Sequence, residues 1–449
     1  MNYLNKFFTA LLAVGMAVGC SSDETATEID GGGIDVHPDD QVYMSVSVTL
    51  PTMGGGTRSE TVDPDNDASA SDTGIEIGKD YENKVERMLI VLADADNKFI
   101  TYGFVDPVPA STTSTIKATS TFKKTTLADY YKNGSLADNS VRVFVICNYT
   151  GDLKSRFEGN AFTLGDTKWI DEVCEVVEAN GSDEGKNKQI WARGNMLMSN
   201  AVIATKYLPR TFKEWDAYSA ASTPLDLSIT STTSNGDRLE NGGSVRVERS
   251  VARFDFRDGS SDATPANTYH VVATVLPDAT NPNPDPTDIV DIRLNRMALV
   301  NMSNKFYYFR RVTAAGTIDE GGVCHPEYPS DGGNGNYVID VDYDTKTAGP
   351  AAYNFPLFGV NSGVIDGEAR DQWYTSLISD VLGENKDNDE YDTKRYKIWR
   401  YVTENTVNNT DRMTAGLSTG VVFKGKMIPT AAARTSTDAK IKKLADVLD

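Results

Sequence analysis

The chain has 449 residues, with 44 Lys and Arg against 64 Asp and Glu, for a formal net charge of −20. At roughly 100–200 residues per domain this length predicts two or three domains, and 39% hydrophobic with 24% charged residues is enough apolar material for ordinary cores. The acidic balance excludes nucleic-acid recognition by bulk attraction, which needs a basic face; only three histidines, His37, His270 and His325, exclude a histidine-rich metal centre.

Residues 1–20 read MNYLNKFFTALLAVGMAVGC. Lys6 and the amino terminus form a positive n-region, and Phe7 to Val18 form an apolar run of twelve. A bilayer-spanning helix needs about 20 residues, so residues 1–19 are expected to be a signal peptide. Its end, Ala17-Val18-Gly19-Cys20, resembles a bacterial lipobox, in which the cysteine is acylated and becomes the mature N-terminus. A plain secretory signal with an incidental cysteine is the other reading; position and neighbours favour lipidation at Cys20. Two or three acyl chains hold a protein on a membrane, where one alone does not. Ser21-Ser22-Asp23-Glu24 looks like the acidic surface-export signal of Bacteroidetes lipoproteins.

Residues 21–41 are acidic, small and Gly-rich, and read as a tether. In Val42–Leu50 (VYMSVSVTL), Val42, Met44, Val46, Val48 and Leu50 alternate with Tyr43, Ser45, Ser47 and Thr49. This period of two predicts a strand with one buried face, and Pro51 ends it. Thr52-Met53-Gly54-Gly55-Gly56-Thr57-Arg58-Ser59-Glu60 follows; three glycines before a lone arginine predict an exposed loop of the kind proteases cut. Residues 61–75 continue as a polar linker. The plain reading is a first strand and a long loop. The sharper one is a removable strand, whose inward side chains at ~1.5–3 kcal/mol each would bury an upper bound of ~7–15 kcal/mol. Its loss would leave an apolar groove between unpaired backbone groups, a template for a strand from another molecule.

Further along, Lys84–Ala93, Asn97–Phe104 and Val141–Asn148 are expected strands, the last with Cys147 as a buried free thiol. Thr167–Glu178 and Arg210–Ser219 are expected short helices. Val245–Arg257 is expected to be one strand whose arginines face solvent. Gly259–Asn267 is a candidate domain break, followed by strands over Tyr269–Leu276, Ile289–Met302 and Tyr337–Tyr343. Asp371–Gly383 and Ser436–Leu448 are expected helices, the second capped by Ser436 or Thr437 and burying Ile441, Leu444 and Leu448.

Candidate chemistry is sparse. Asp340, Asp342 and Asp344 lack the glycine and terminal glutamate of a calcium loop. Cys324-His325 has no companion ligands, and a Cys174–Cys324 bridge is open. No G-x-S-x-G, H-E-x-x-H, Walker or Rossmann pattern occurs, so neither enzyme nor metal nor cofactor is expected. Tyr307, Tyr308, Trp373, Tyr374, Trp399 and Tyr401 could stack on sugars, but core packing is preferred. The residue-level class is mostly β with small helical inserts, as two sandwiches.

The layout of lipobox, alternating strand, glycine-rich loop and Thr57-Arg58-Ser59 resembles the precursors of Bacteroidales fimbrillins, the type V pilins, closest to the minor-fimbrium shaft subunit family. Val245–Phe256 with Arg249, Ala252 and Arg253, Asn195–Asn200, Met297–Arg311, Arg400–Thr406 and Gly420–Met427 also look familial. The resemblance implies two tandem transthyretin-like β-sandwich domains over residues 59–258 and 259–449, after a propeptide over 20–58 that carries the removable strand 42–50. It implies a cut between Arg58 and Ser59 by an arginine-specific surface protease. It further implies export as an outer-membrane lipoprotein, polymerisation with other fimbrial subunits into a cell-surface fimbrium, and adhesion to host or bacterial surface glycans or proteins. A tip adhesin or glycan-binding surface lipoprotein is the alternative. The family continues through further strands that complete the second domain and supply a donor strand, whereas this sequence reaches Asp449 just after a helix-like segment.

Overall fold

The structure, a computed structural model, describes residues 36–50, 80–111, 114–172, 174–176, 196–260, 267–273, 287–303, 305–310, 312–313, 337–338, 353–354, 370, 373, 376–382, 396–402 and 419–449. Cys20, Arg58, Ser59, Cys324, His325, Tyr374 and the aspartates 340, 342 and 344 lie outside these residues.

The first part of the chain runs β1 (Gln41–Thr49), β2 (Met88–Ala93), β3 (Phe99–Val105), β4 (Thr115–Lys123), α1 (Lys124–Tyr130), β5 (Ser140–Cys147), α2 (Gly151–Glu158), α3 (Trp169–Glu172), β6 (Cys174–Val176), β7 (Met198–Asn200), β8 (Ala204–Tyr207), a 3-10 turn (Phe212–Tyr218), β9 (Leu225–Asp226), β10 (Ser231–Thr232), β11 (Arg238–Leu239) and β12 (Val245–Arg249). The main sheet has the order β3-β2-β5-β7-β12-β1-β4, with β8 on β5 and β9 on β1. It folds over on itself. Strand β12 serves both layers: Val245 and Arg246 face β1, while Val247, Glu248 and Arg249 face β7. At the far side β3 meets β4, where Ser120 Oγ donates to the Phe104 carbonyl at 2.9 Å. A side chain at Gly103 would meet Ser120 Oγ at 2.4 Å, so that approach requires glycine.

Two apolar cores follow. Inside the sandwich, the inward rows of β1 and β4 share one cluster with Met88, Ile90, Leu92, Val141, Val143, Val145 and Cys147. The opposite face of β2 and β5 is also buried, through Leu89, Val91, Phe144 and Ile146 under Phe157 of α2 and Trp169 of α3. Burial on both faces is why MLIVLA of β2 is apolar without alternation. Phe306, Tyr308 and Phe309 from later in the chain complete this outer cluster. Arg310 pins them, bonding Glu248 at 2.9 Å with both side chains almost wholly buried, and Ser199 Oγ donates to the Tyr308 carbonyl.

The remainder comprises β13 (Ala252–Arg257), β14 (Thr268–Ala273), β15 (Thr287–Val300), β16 (Met302–Ser303), β17 (Lys305–Tyr307), β18 (Val312–Thr313), β19 (Tyr337–Val338), β20 (Tyr353–Asn354), α4 (Ile378–Leu382), β21 (Tyr396–Val402), β22 (Gly420–Pro429), α5 (Ala431–Arg434) and α6 (Ala439–Leu448). Here β14, β15 and β22 form one sheet and β13 pairs with β21. A small core joins Leu299, Val402, Phe254 and Trp399. The fold is mainly β, as the sequence indicates.

Several local expectations change. Among the described residues of the expected helix 167–178, Trp169–Glu172 is helical, while Cys174–Val176 is extended and pairs with β17. Arg210–Ser219 yields the 3-10 turn Phe212–Tyr218, with Thr211 and Glu214 as a capping box. Val245–Arg257 is two strands, because β12 belongs to the main sheet and β13 pairs with β21. Of its arginines, Arg246 is exposed as expected, whereas Arg249 and Arg253 are held by partners. Arg249 bonds the Glu82 carbonyl and Asn83, and Arg253 pairs with Glu82 at 3.0 Å and Asp255 at 2.8 Å. Helix α6 is capped by Asp438, which accepts from the amides of Lys440 and Ile441, and it buries Ala445 while Leu444 stays exposed. Of the aromatic residues weighed for sugar stacking, Tyr308 and Trp373 are core, and Tyr401 donates to Glu82.

Cys147 is free and fully buried, and burial pushes its thiol up to about 12. A thiol so raised stays protonated at neutral pH. Iodoacetamide at pH 8 is expected to leave Cys147 unmodified in the folded protein and to label it after denaturation, as read by mass spectrometry of the tryptic peptide.

Candidate functional site

Strand β1 is the centre of the candidate site. Its period-two sequence places Val42, Met44, Val46, Val48 and Leu50 on one side, and all five are buried in the inner core. All nine residues of β1, Gln41 to Thr49, pair with Lys123 to Thr115 of β4 in an antiparallel ladder. The ladder extends at both ends, through Lys124 N to the Asp40 carbonyl and Leu50 N to the Ser114 carbonyl, each at 2.9 Å. On the other flank the pairing is parallel and short. Met44 and Ser45 face Leu225 and Asp226 of β9, and Val48 and Thr49 face Val245 and Arg246 of β12. So β1 occupies a slot with one continuous wall and one interrupted wall, over an apolar floor.

After Tyr43, the outward row of Ser45, Ser47 and Thr49 is short and polar. Ser47 Oγ donates to Ser228 Oγ at 2.9 Å, and the Thr49 hydroxyl bonds Ser244 Oγ. Lys117 of β4 forms an ion pair with Asp226 of β9. Burial alone would raise the Asp226 carboxyl, but hydrogen bonds from Lys117 and from the hydroxyl and amide of Ser228 outweigh it and hold the group below the usual carboxylate range.

Past β1, the described structure resumes at a 3-10 turn, Asp80–Glu82. This turn is held by a buried polar cluster. Glu82 accepts from both Arg253 and Tyr401, and burial together with the Glu82 carboxylate pushes the Tyr401 phenol far up, so it remains a donor. The chain is therefore fixed on both sides of residues 51–79. The five inward residues named from sequence all meet in the inner core; Cys20, Arg58 and Ser59 lie outside the described residues. Sequence reasoning missed Lys117, Asp226, Ser228 and Ser244. The Ser/Thr row of β1 signals a polar outer face, but nothing local links Lys117 to a carboxylate 109 residues away. Among the described residues no group of three or more His, Cys, Asp or Glu could hold a metal ion, and no helix is long and apolar enough to cross a membrane.

Two outcomes follow from this geometry. Val46→Asp, which buries an unpaired carboxylate, is expected to cost about 3 kcal/mol or more, while Tyr43→Asp on the outward row costs less than about 1 kcal/mol; urea unfolding compares them. The Asp226 contribution has a defined pH sign. A carboxyl whose folded value lies below the unfolded value of about 3.9 stabilises fully above that value and loses this as pH falls through the folded value. The gap in Tm between the native chain and Lys117→Met should thus narrow below about pH 4, and a gap constant down to pH 2 would contradict this.

No protein-family model and no curated protein matches the chain. Among solved structures it is similar to a candidate cell adhesion protein from Parabacteroides distasonis, with 12% identity and a TM-score of 0.31 over 60% of this chain and 57% of that one. It is similar to a second such protein from the same organism, with 10% identity and a TM-score of 0.40 over 89% and 81%. A third likeness is to the tip fimbrial protein Mfa3 from Porphyromonas gingivalis with C-terminal truncation, at 10% identity and a TM-score of 0.33 over 87% and 81%. The chain thus spans 57% of the length of the first of these, and its structural neighbours are Bacteroidales candidate cell adhesion proteins and a fimbrial tip protein.

Proposed function

We propose that this chain is a structural subunit of a cell-surface fimbrium. It is exported as an outer-membrane lipoprotein acylated at Cys20, cut between Arg58 and Ser59 by an arginine-specific protease, and polymerised when a strand of a neighbouring subunit replaces β1. The observation that carries this reading is the position of β1. It lies inside the main sheet with its whole apolar row in the core, yet in sequence it is joined to the next described element only through residues 51–79, which contain Arg58.

A strand so placed is separable once the connection is cut, because nothing covalent then holds it. The slot left behind would expose an apolar floor and the unpaired backbone of β4, the arrangement that strand addition requires. Head-to-tail transfer of strands makes a heterologous contact that does not close, which gives filaments. Other fimbrial subunits are then the first partners, and host or bacterial surface glycans or proteins are the targets of adhesion.

The test is cleavage followed by electron microscopy of the secreted protein. The native chain, treated with an arginine-specific protease, is expected to begin at Ser59 and to form filaments; Arg58→Ala is expected to keep residues 20–58 and remain monomeric. Filaments from uncut Arg58→Ala, or native appendages that retain the bond after Arg58, would overturn the reading. Cut monomers that bind glycans without assembling would favour a surface adhesin instead.

A further inference from the structure

Lys117 and Asp226 sit on the two strands that flank β1, one on each side. Lys117 lies directly opposite Ser47 in the β4 ladder, and Asp226 directly opposite Ser45 in the β9 pairing. Residues directly opposite in a ladder point to the same face. The two flanking strands are about 9–10 Å apart, twice the strand spacing, and the lysine stem bridges that gap across the outward side of β1. The ion pair therefore straps the slot shut above Ser45 and Ser47.

Room beneath the strap is small. Ser45 is on the outward row but is 0% exposed, and its hydroxyl has no hydrogen-bond partner. Ser47 is tied to Ser228, whose own hydroxyl and amide hold Asp226. Asp226 is thus the fixed half of the strap, with a side chain 9% exposed, while the Lys117 side chain at 55% is the half free to swing.

We propose that this ion pair is a size filter on whichever strand fills the slot. It admits an extended segment whose outward residue at the Ser45 position is Ser, Ala or Gly and whose residue at the Ser47 position is a small hydroxyl. Segments with long or branched residues there are rejected. The inference rests on the strand-exchange reading and names the partner class that reading leaves open: a segment of a second molecule that alternates a buried apolar row with two small outward residues. The inward row alone is a weak selector, since apolar cores accept many aliphatic combinations of similar volume. The outward filter excludes most two-faced strands, because their solvent face ordinarily carries larger polar or charged side chains.

The experiment uses the chain cut after Arg58 and stripped of its own β1 segment. The probe is a fluorescent peptide of residues 40–50, compared with peptides carrying Ser45→Leu or Ser47→Leu. Anisotropy titration is expected to give the leucine peptides at least about 10-fold weaker binding than the parent, the scale of an overpacked site. In Lys117→Ala the penalty for Ser47→Leu is expected to shrink to about 3-fold or less. Equal binding of all peptides to the native chain, or a penalty unchanged by Lys117→Ala, rejects the filter. If the parent peptide itself fails to rebind, the strand-exchange reading fails, and the intact chain still decides the filter. There, Ser47→Leu should lower Tm and Lys117→Ala should restore at least about half of the loss; no restoration rejects the filter.

Discussion

The inner core is closed by side chains from a strand that precedes the rest of its own sheet by a long stretch of sequence. Val42, Met44, Val46 and Val48 are essentially inaccessible to solvent, and they meet residues of β2 and β5 that would otherwise face an open channel. Burial of apolar area is the dominant favourable contribution to folding, so the first sandwich needs some occupant in this position. Here β1 fills it, and backbone pairing sets its place. One wall of the slot offers nine consecutive partners; the other offers two short parallel contacts. A continuous wall sets register, and an interrupted wall leaves the strand less tied on that side.

Charged groups are used in a different way, at the joints between parts. Arg310 with Glu248, and Arg253 with Glu82, are nearly buried pairs that link segments far apart in sequence. Removing water from such groups is costly unless each finds its partner. They therefore define geometry more than they add stability, and they hold Phe306–Phe309 and the turn at Asp80–Glu82 in single positions. The strap over β1 is of the exposed kind, with a lysine that remains partly in water, where the net strength of a pair is small. Its effect is steric placement.

Much of this was legible in the sequence, and the limits have physical causes. The strict alternation of Val42–Leu50 announced a strand with one buried face, and the apolar run Val141–Asn148 announced a strand with Cys147 buried, because side-chain period and apolar content are local properties. The arginines at 249 and 253 were misread as solvated, since their partner Glu82 lies 171 residues from Arg253 and no local pattern reports it. Val245–Arg257 read as one strand because hydrophobic content persists across Ser250–Val251, where the chain leaves one sheet for another. The cap of α6 was placed one or two residues early, as element ends commonly are. The strap between Lys117 and Asp226 joins two short polar stretches that have meaning only once β1 lies between them.

The outer aromatic cluster carries a consequence for biosynthesis. Phe144, Ile146 and Trp169 are covered partly by Phe306, Tyr308 and Phe309, residues synthesised more than a hundred positions later than Trp169. A polypeptide leaves the ribosome amino end first. The nascent chain must therefore travel with a greasy aromatic surface uncovered until its second half has emerged.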